Sequence, residues 1–340
     1  MNARTITSIL FASGLATAQA QVIVDSGGFA CGLDGPAALD NGAAAAAVVQ
    51  FDYSQAEARL DVTVTNTSPI QPDVPSPLIT HVYFNVPAGT VSTATLLTQT
   101  AAGETQPAFV FGFDPDAGNG DDPNQAACLG TFNFRLAAAD VSEGIANDLA
   151  EVFCFDPKQP LLRGPVTFRF HLEGPDVHNL TSDVFAASTS RNTSKPVNVA
   201  VGFGGANCTG TGTLGNGDVC RTAVFVRGAP QLGQTVQLSV IGGERCRAFL
   251  GLSDSAGPAG LKKFDLPIGL PVLFTFDFGY LPLVTPEAGL PVFIPFAPEL
   301  VGFTVYMTSL THPYLQDLVG PWTFAPAYAL TVVGPFDPPL

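Results

Sequence analysis

The sequence predicts an all-β protein made of two antiparallel β-sandwich domains, and three observations carry that expectation. Apolar residues recur at every second position in many short segments, which is the period of a half-buried strand. Twenty-six phenylalanines supply bulky side chains for those positions. Thirty-five glycines and twenty-nine prolines punctuate the chain, leaving room for at most one short helix.

Residues 1–20 read as a signal peptide. Arg4 gives a basic start, the stretch from Ile6 to Ala16 is mostly apolar, and Ala18-Gln19-Ala20 has the small-x-small pattern of a cleavage site. A chain starting at Gln21 is then secreted or held at the cell surface. Two domains are expected, 21–201 and 202–340, each long enough for a core of its own. Between them the stretch from Gly202 to Cys220, rich in glycine and cysteine, reads as a connection, because glycine loses the most freedom on ordering.

In the first domain, strands are expected at 48–53, 60–65, 81–86, 109–113, 132–136 and 166–172. Val82, Phe84 and Val86 share a face, as do Phe109, Phe111 and Phe113. Phe132, Phe134 and Leu136 form a third set, and Val166, Phe168, Phe170 and Leu172 a fourth. The intervening Asn133, Arg135, Thr167, Arg169 and His171 are expected on a wet outer face. One helix is expected where Val141, Ile145, Leu149 and Val152 repeat at helical spacing behind a capping-box pair, Asp140 and Glu143. The second domain has seven strand segments, at 222–226, 235–240, 248–252, 273–278, 292–296, 302–308 and 329–333, a spacing that suits a second sandwich.

Charge and hydropathy narrow the partners. Charged residues make up 13% of the chain, and 29 acidic residues outnumber 14 basic ones for a formal net charge of −15. So few lysines and arginines cannot neutralise phosphates, which excludes nucleic acids and anionic membranes. The apolar tract 266–303 is broken by prolines at 267, 271, 282, 286, 291, 295 and 298. No run reaches the ~20 residues of a spanning helix. An extracellular or cell-surface partner remains, a glycan among the options, or a divalent cation.

Cys31, Cys128, Cys154, Cys208, Cys220 and Cys246 in an exported chain predict disulfides. Six cysteines allow fifteen pairings. The spacing favours Cys128 with Cys154, while Cys220 and Cys246 each precede an expected strand. There is no C-x-x-C, so a zinc or thioredoxin-like site is not expected.

Two resemblances are carried by local patterns. The stretch Pro298-Glu299-Leu300-Val301-Gly302-Phe303-Thr304-Val305-Tyr306, with Ala327-Tyr328-Ala329-Leu330-Thr331-Val332-Val333, resembles the closing strands of a β-sandwich module. That module recurs at the C-termini of uncharacterised secreted bacterial proteins. Ala229-Pro230-Gln231-Leu232-Gly233 is similar to its opening, so the likeness covers about residues 202–334. The first half, through Leu60 to Pro69, resembles exported bacterial β domains that carry a surface anchor, although no anchor follows here. What both imply is a secreted sandwich, with no cofactor or catalytic residue to transfer.

The sharpest polar cluster is Asp114-Pro115-Asp116-Ala117-Gly118-Asn119-Gly120-Asp121-Asp122-Pro123-Asn124. Calcium takes six to eight oxygens, and Asp114, Asp116, Asn119, Asp121 and Asp122 could supply them. The same residue types equally suit an exposed acidic turn after a strand. His81, His171, His178 and His312 are scattered and lack metal-ligand spacing. Gly251-Leu252-Ser253-Asp254-Ser255 lacks the glycine of a nucleophile elbow. The single tryptophan, Trp322, is the one candidate for stacking on a sugar, against its simpler role as a lid on the core. The expected function is therefore a secreted, non-catalytic structural or surface-interaction protein of the cell envelope or extracellular matrix. The alternative is a carbohydrate-binding protein assisted by calcium, and an extracellular hydrolase comes third.

Overall fold

The structure is a computed structural model that describes residues 19–25, 28–31, 44–69, 77–101, 109–117, 124–138, 154–155, 165–206, 212–216, 221–242, 246–253, 274–280, 289–313, 323–324 and 328–334. In chain order the first half contributes β1 (Ala20–Asp25), β2 (Phe29–Cys31), β3 (Ala46–Ser54), β4 (Arg59–Asn66), β5 (Leu78–Phe84) and β6 (Thr93–Ala101). It continues with β7 (Phe109–Phe113), β8 (Phe134–Ala138), β9 (Cys154–Phe155) and β10 (Val166–Glu173). After α1 (Ser182–Ala187) come β11 (Val199–Ala206) and β12 (Gly212–Gly215). One sheet has the order β1-β3-β4-β10-β6, and a second has β2-β12-β11-β5-β8-β7. Every pairing is antiparallel except that of β9 with the end of β11.

The protein is all-β, as expected, and alternation explains how the two sheets meet. Val49, Phe51 and Tyr53 of β3, Leu60, Val62 and Val64 of β4, and Phe168, Phe170 and Leu172 of β10 are buried beneath the first sheet. Val82 and Phe84 of β5, Phe134 and Leu136 of β8, and Val199, Val201 and Phe203 of β11 meet them from the second. Rings interlock within and across the layer: Phe84 stacks on its sheet neighbour Phe134 at 4.4 Å, while across the layer Phe51 meets Phe84 edge-on at 5.3 Å and Phe134 meets Phe170 at 6.0 Å. Each such ring contributes about 1.5–3 kcal/mol by leaving water, with a further ~0.5–1.5 kcal/mol for each well-placed aromatic pair.

One side of this sandwich is closed by a side chain. Gln99 of edge strand β6 donates its amide to the Phe109 carbonyl at 2.8 Å and accepts the Phe109 N–H at 3.1 Å. The carboxamide thereby pairs like a strand residue and joins β6 of one sheet to β7 of the other. β6 itself escaped the sequence reading because its exposed threonines and adjacent leucines do not alternate.

The second half comprises β13 (Thr222–Arg227), β14 (Thr235–Gly242), β15 (Cys246–Ser253), β16 (Phe274–Tyr280), β17 (Leu290–Phe293), β18 (Thr304–Pro313), β19 (Thr323–Phe324) and β20 (Tyr328–Thr331). One sheet is β13-β14-β17, and the other is β16-β15-β18-β19, with β20 also paired to β18. Each strand segment expected from the sequence overlaps an observed strand. The expected helix around residues 141–152 lies outside the described residues. Among the described residues the one α-helix is α1, which no periodicity had signalled at six residues long. No helix among them is long and apolar enough to cross a membrane.

Two expectations are corrected. The stretch after Gly202 is not a bare connection: β11 runs through it to Ala206, and β12 follows at Gly212–Gly215, both inside the second sheet. Close approach accounts for the glycines. A Cβ on Gly202 would lie 2.9 Å from Thr80 Oγ1 and 3.1 Å from His81 Cβ, and one on Gly215 would lie 2.4 Å from Val197 Cγ1.

The outer face of the second sheet is not wet. Asn133 is buried there, and Phe132 turns away from Phe134 to join Tyr83, Ala126, Leu129, Val197 and Ala200 in a small outer cluster. The segments around residues 124–133 and 189–197 cover that face.

The two interiors are distinct, and one strand of the second half lines both. Along β13, Ala223 and Phe225 enter the first core beside α1, whereas Val224 and Val226 enter the second with Val236, Leu238, Leu250 and Met307. This strand is buried on both faces and serves as a shared wall. Polar bonds reinforce it: Asp176 accepts the Gly228 N–H at 3.0 Å, and Arg227 donates to the Ala88 carbonyl at 2.7 Å. Phe225→Ala should lower the unfolding free energy by about 3–5 kcal/mol, as for other large-to-small core changes. Urea unfolding followed by circular dichroism measures this, and a loss below ~1 kcal/mol would contradict the shared wall.

Candidate functional site

Two of the five expected calcium ligands are described. Asp114 Oδ1 accepts the Asp116 N–H at 2.9 Å, the local bond of an Asx turn. Asn119, Asp121 and Asp122 lie outside the described residues. Among the described residues no group of three or more His, Cys, Asp or Glu side chains is placed to hold a metal ion. Trp322 also lies outside them.

What holds the acidic turn in place is a set of buried amides, of which Asn133 is the one expected on a wet face. Asn85 Oδ1 accepts the Asn133 N–H at 2.6 Å, while its Nδ2 donates to the Thr189 carbonyl at 2.7 Å. Asn133 returns the bond by accepting the Val86 N–H at 3.3 Å, and it donates to the Asp114 carbonyl at 2.7 Å. Asn124 donates to the Asn133 carbonyl at 3.0 Å, and Arg191 reaches the Ala117 and Val86 carbonyls. A second reciprocal pair, Asn198 with Asn216, caps the starts of β11 and α1's exit. Asparagine is depleted in strands, so its placement at 85, 133 and 198 beside strand ends was the available signal. Its partners are backbone groups far away in sequence, which no local pattern reveals.

The densest group of chemistry-bearing residues lies on the covered outer face of the second sheet. His81, opposite Gly202 in register, is buried and stacked parallel to Tyr83 at 5.7 Å, with Thr80 Oγ1 3.0 Å from Nδ1. Burial, and then the neighbouring Arg135 charge, lower its pKa from 6.5 to about 3. Burial likewise raises the Tyr83 hydroxyl to about 12, with Arg135 opposing. A proton shuttle needs a pKa near the working pH. At neutral pH this imidazole is a poor base and this phenol a poor acid, so the cluster is suited to packing rather than proton transfer.

The remaining polar groups are spread along strands. On the exposed face of the first sheet, Arg169 grips Asp61 through two bonds of 2.8 Å, beside a Thr63–Thr167 hydroxyl pair. His171 is exposed, 3.9 Å from Glu173, and His178 is 3.4 Å from the Gln55 carbonyl. Cys128 is disulfide-bonded, and no free cysteine occurs among the described residues.

The most unusual surface lies at one end of the second half. Segments 229–234, 293–303 and 332–334 lace together there: Gly233 donates to Ile294, Val333 to Pro230, Gly302 to Val332 and Val332 to Phe303. Most of their outward side chains are apolar, Gln234 and Glu299 being exposed exceptions. Phe296 is 71% exposed and Phe293 61%, with Val301, Phe303 and Val333 also exposed. Glu299 is the one charged residue in those segments. Prolines 230, 295 and 298 have no N–H, and most other amides of the rim are bonded within it. Such a rim offers little hydrogen bonding and much apolar area, the character of a contact surface.

The fold is all-β, built largely of antiparallel sheets. No protein-family model, no curated protein and no solved structure matches the chain.

Asn133→Ala strands the Val86 N–H and the Asp114 carbonyl, so it should cost about 2–6 kcal/mol, at ~1–3 kcal/mol for each buried group left unpaired. A shift of the urea midpoint measures this loss. His81 sets a pH dependence of definite sign. Its folded pKa is below 6.5, so between pH 6.5 and 3 only the unfolded chain takes up the proton. Stability should therefore fall as the pH drops from 6.5 towards 5, by up to ~1.4 kcal/mol per unit. His81→Gln should flatten that slope in unfolding titrations, and an unchanged slope would assign it to other groups.

Proposed function

We propose that this chain is an exported, non-catalytic protein that presents a surface to an uncharged partner at the cell envelope or in the extracellular matrix. The leader-like residues 1–20 and the six cysteines support export. The observation that carries the reading is the apolar rim of Phe293, Phe296, Val301, Phe303 and Val333. A net charge of −15 repels anionic surfaces and leaves uncharged, apolar ones as the natural counterpart. The lowered His81 pKa and the raised Tyr83 pKa argue against proton transfer by that pair.

The test compares the full secreted chain with a Phe296→Ser/Phe303→Ser variant for retention on envelope fractions of the producing cell. Burying one phenylalanine is equivalent to about tenfold or more in affinity, so the double change should weaken retention by at least about a hundredfold. Both sites are exposed, so unfolding midpoints should be alike. Equal retention, or turnover of generic ester, glycoside or peptide substrates by the purified chain, would overturn the reading.

A further inference from the structure

We propose that the partner of Cys128 in its disulfide is Cys31, a covalent modification that bolts the N-terminal edge of the second sheet to the segment covering its outer face. Three placements lead there. The 3₁₀ turn Ala127–Leu129, which carries Cys128, lies directly against β2, which carries Cys31.

The second placement is the face. Val199, Val201 and Phe203 of β11 point into the main core, so Ala200 and Gly202 belong to the outer face, where Ala200 packs with Leu129. Cys31 is opposite Thr213, and Thr213 is opposite Gly202, so the register puts Cys31 on that same outer face. Cys154 is opposite Gly205, an odd number of residues from Ala200 and therefore on the other face.

The third placement is the level along the strands. Cys31 is level with Gly202, two residues along and two strands across from Ala200, about 12 Å in all, whereas Cys154 is five residues along and one strand across, about 18 Å away. A disulfide tolerates Cα atoms no farther apart than about 7 Å, so its partner must lie on a strand packed against the turn, as β2 does. Cys246 belongs to a different sheet, opposite Pro313. The pairing favoured by sequence spacing, Cys128 with Cys154, therefore gives way to Cys31 with Cys128. In forming it, the two thiols lose their protons and one S–S bond is made. The two electrons pass to the disulfide of an exported thiol–disulfide oxidoreductase, which leaves as its dithiol.

The chain contains its own cleavage sites for the test. Trypsin cutting at Arg59, Arg135 and Lys158 places Cys31, Cys128 and Cys154 on three separate peptides. Digestion of the full secreted chain without reductant should yield the peptide ending at Arg59 joined to Leu60–Arg135, a species that vanishes on reduction. Cys128 joined to any other peptide, joined to several, or free, would overturn the proposal. Alkylation supplies a second measurement: Cys31→Ser should convert Cys128 from unlabelled to fully labelled, whereas Cys154→Ser should leave it protected. Protection of Cys128 in the Cys31→Ser chain would count against the pairing as decisively as the map.

Discussion

A layer of phenylalanine and valine between the two N-terminal sheets is the constraint on which the other features depend. A strand that gives one side of its pleat to that layer has only its other side for everything else. In the first sheet that other side goes to water, and it carries the Asp61–Arg169 pair and the threonines. In the second it is roofed by loops, and roofing a sheet obliges every polar group beneath to find a partner. The buried asparagines meet that demand. They are amide side chains, able to donate and accept at once, and so can stand in for backbone where the chain leaves the ladder.

The same economy governs the residues that looked most like chemistry. His81 sits under the roof because Gly202 leaves room for its ring, and burial then keeps the ring neutral. Asp114 turns its carboxylate onto its own loop. The large apolar rim of the second half is the contrasting case, since there the greasy side chains were left outside and the amides were bonded inward. A surface arranged in that way is complementary to something with little charge and few free hydrogen-bonding groups.

Strands with strict alternation were legible in the sequence, β4 and β10 among them, and short apolar runs between turn residues marked the main strands of the second half. β6 was not, because its leucines are adjacent and a bulge at Arg169/Phe170 of its neighbour absorbs the irregularity. β11 and β12 were hidden by glycines whose purpose is close contact with Thr80, His81 and Val197, a reason that exists only in three dimensions. The wet-face assignment of Asn133 failed because period alone says which side a residue takes and nothing about what later covers that side. The rim around Phe296 was read as ordinary strand and turn, since exposure of a phenylalanine leaves no trace in local pattern.

The double-sided burial of β13 has a consequence for how such a chain can be divided. Phe225 and Ile241 plug the N-terminal core from beyond the last strand of its own sheets, and α1 leans on the strand that bears Phe225. A fragment stopping at Asn216 would keep twelve strands and still lack part of its stopper, while one starting at Arg221 would carry an unsheltered greasy flank. The halves are thus conjoined rather than portable, and any recombination that moved one of them into a new context would have to bring a substitute wall with it.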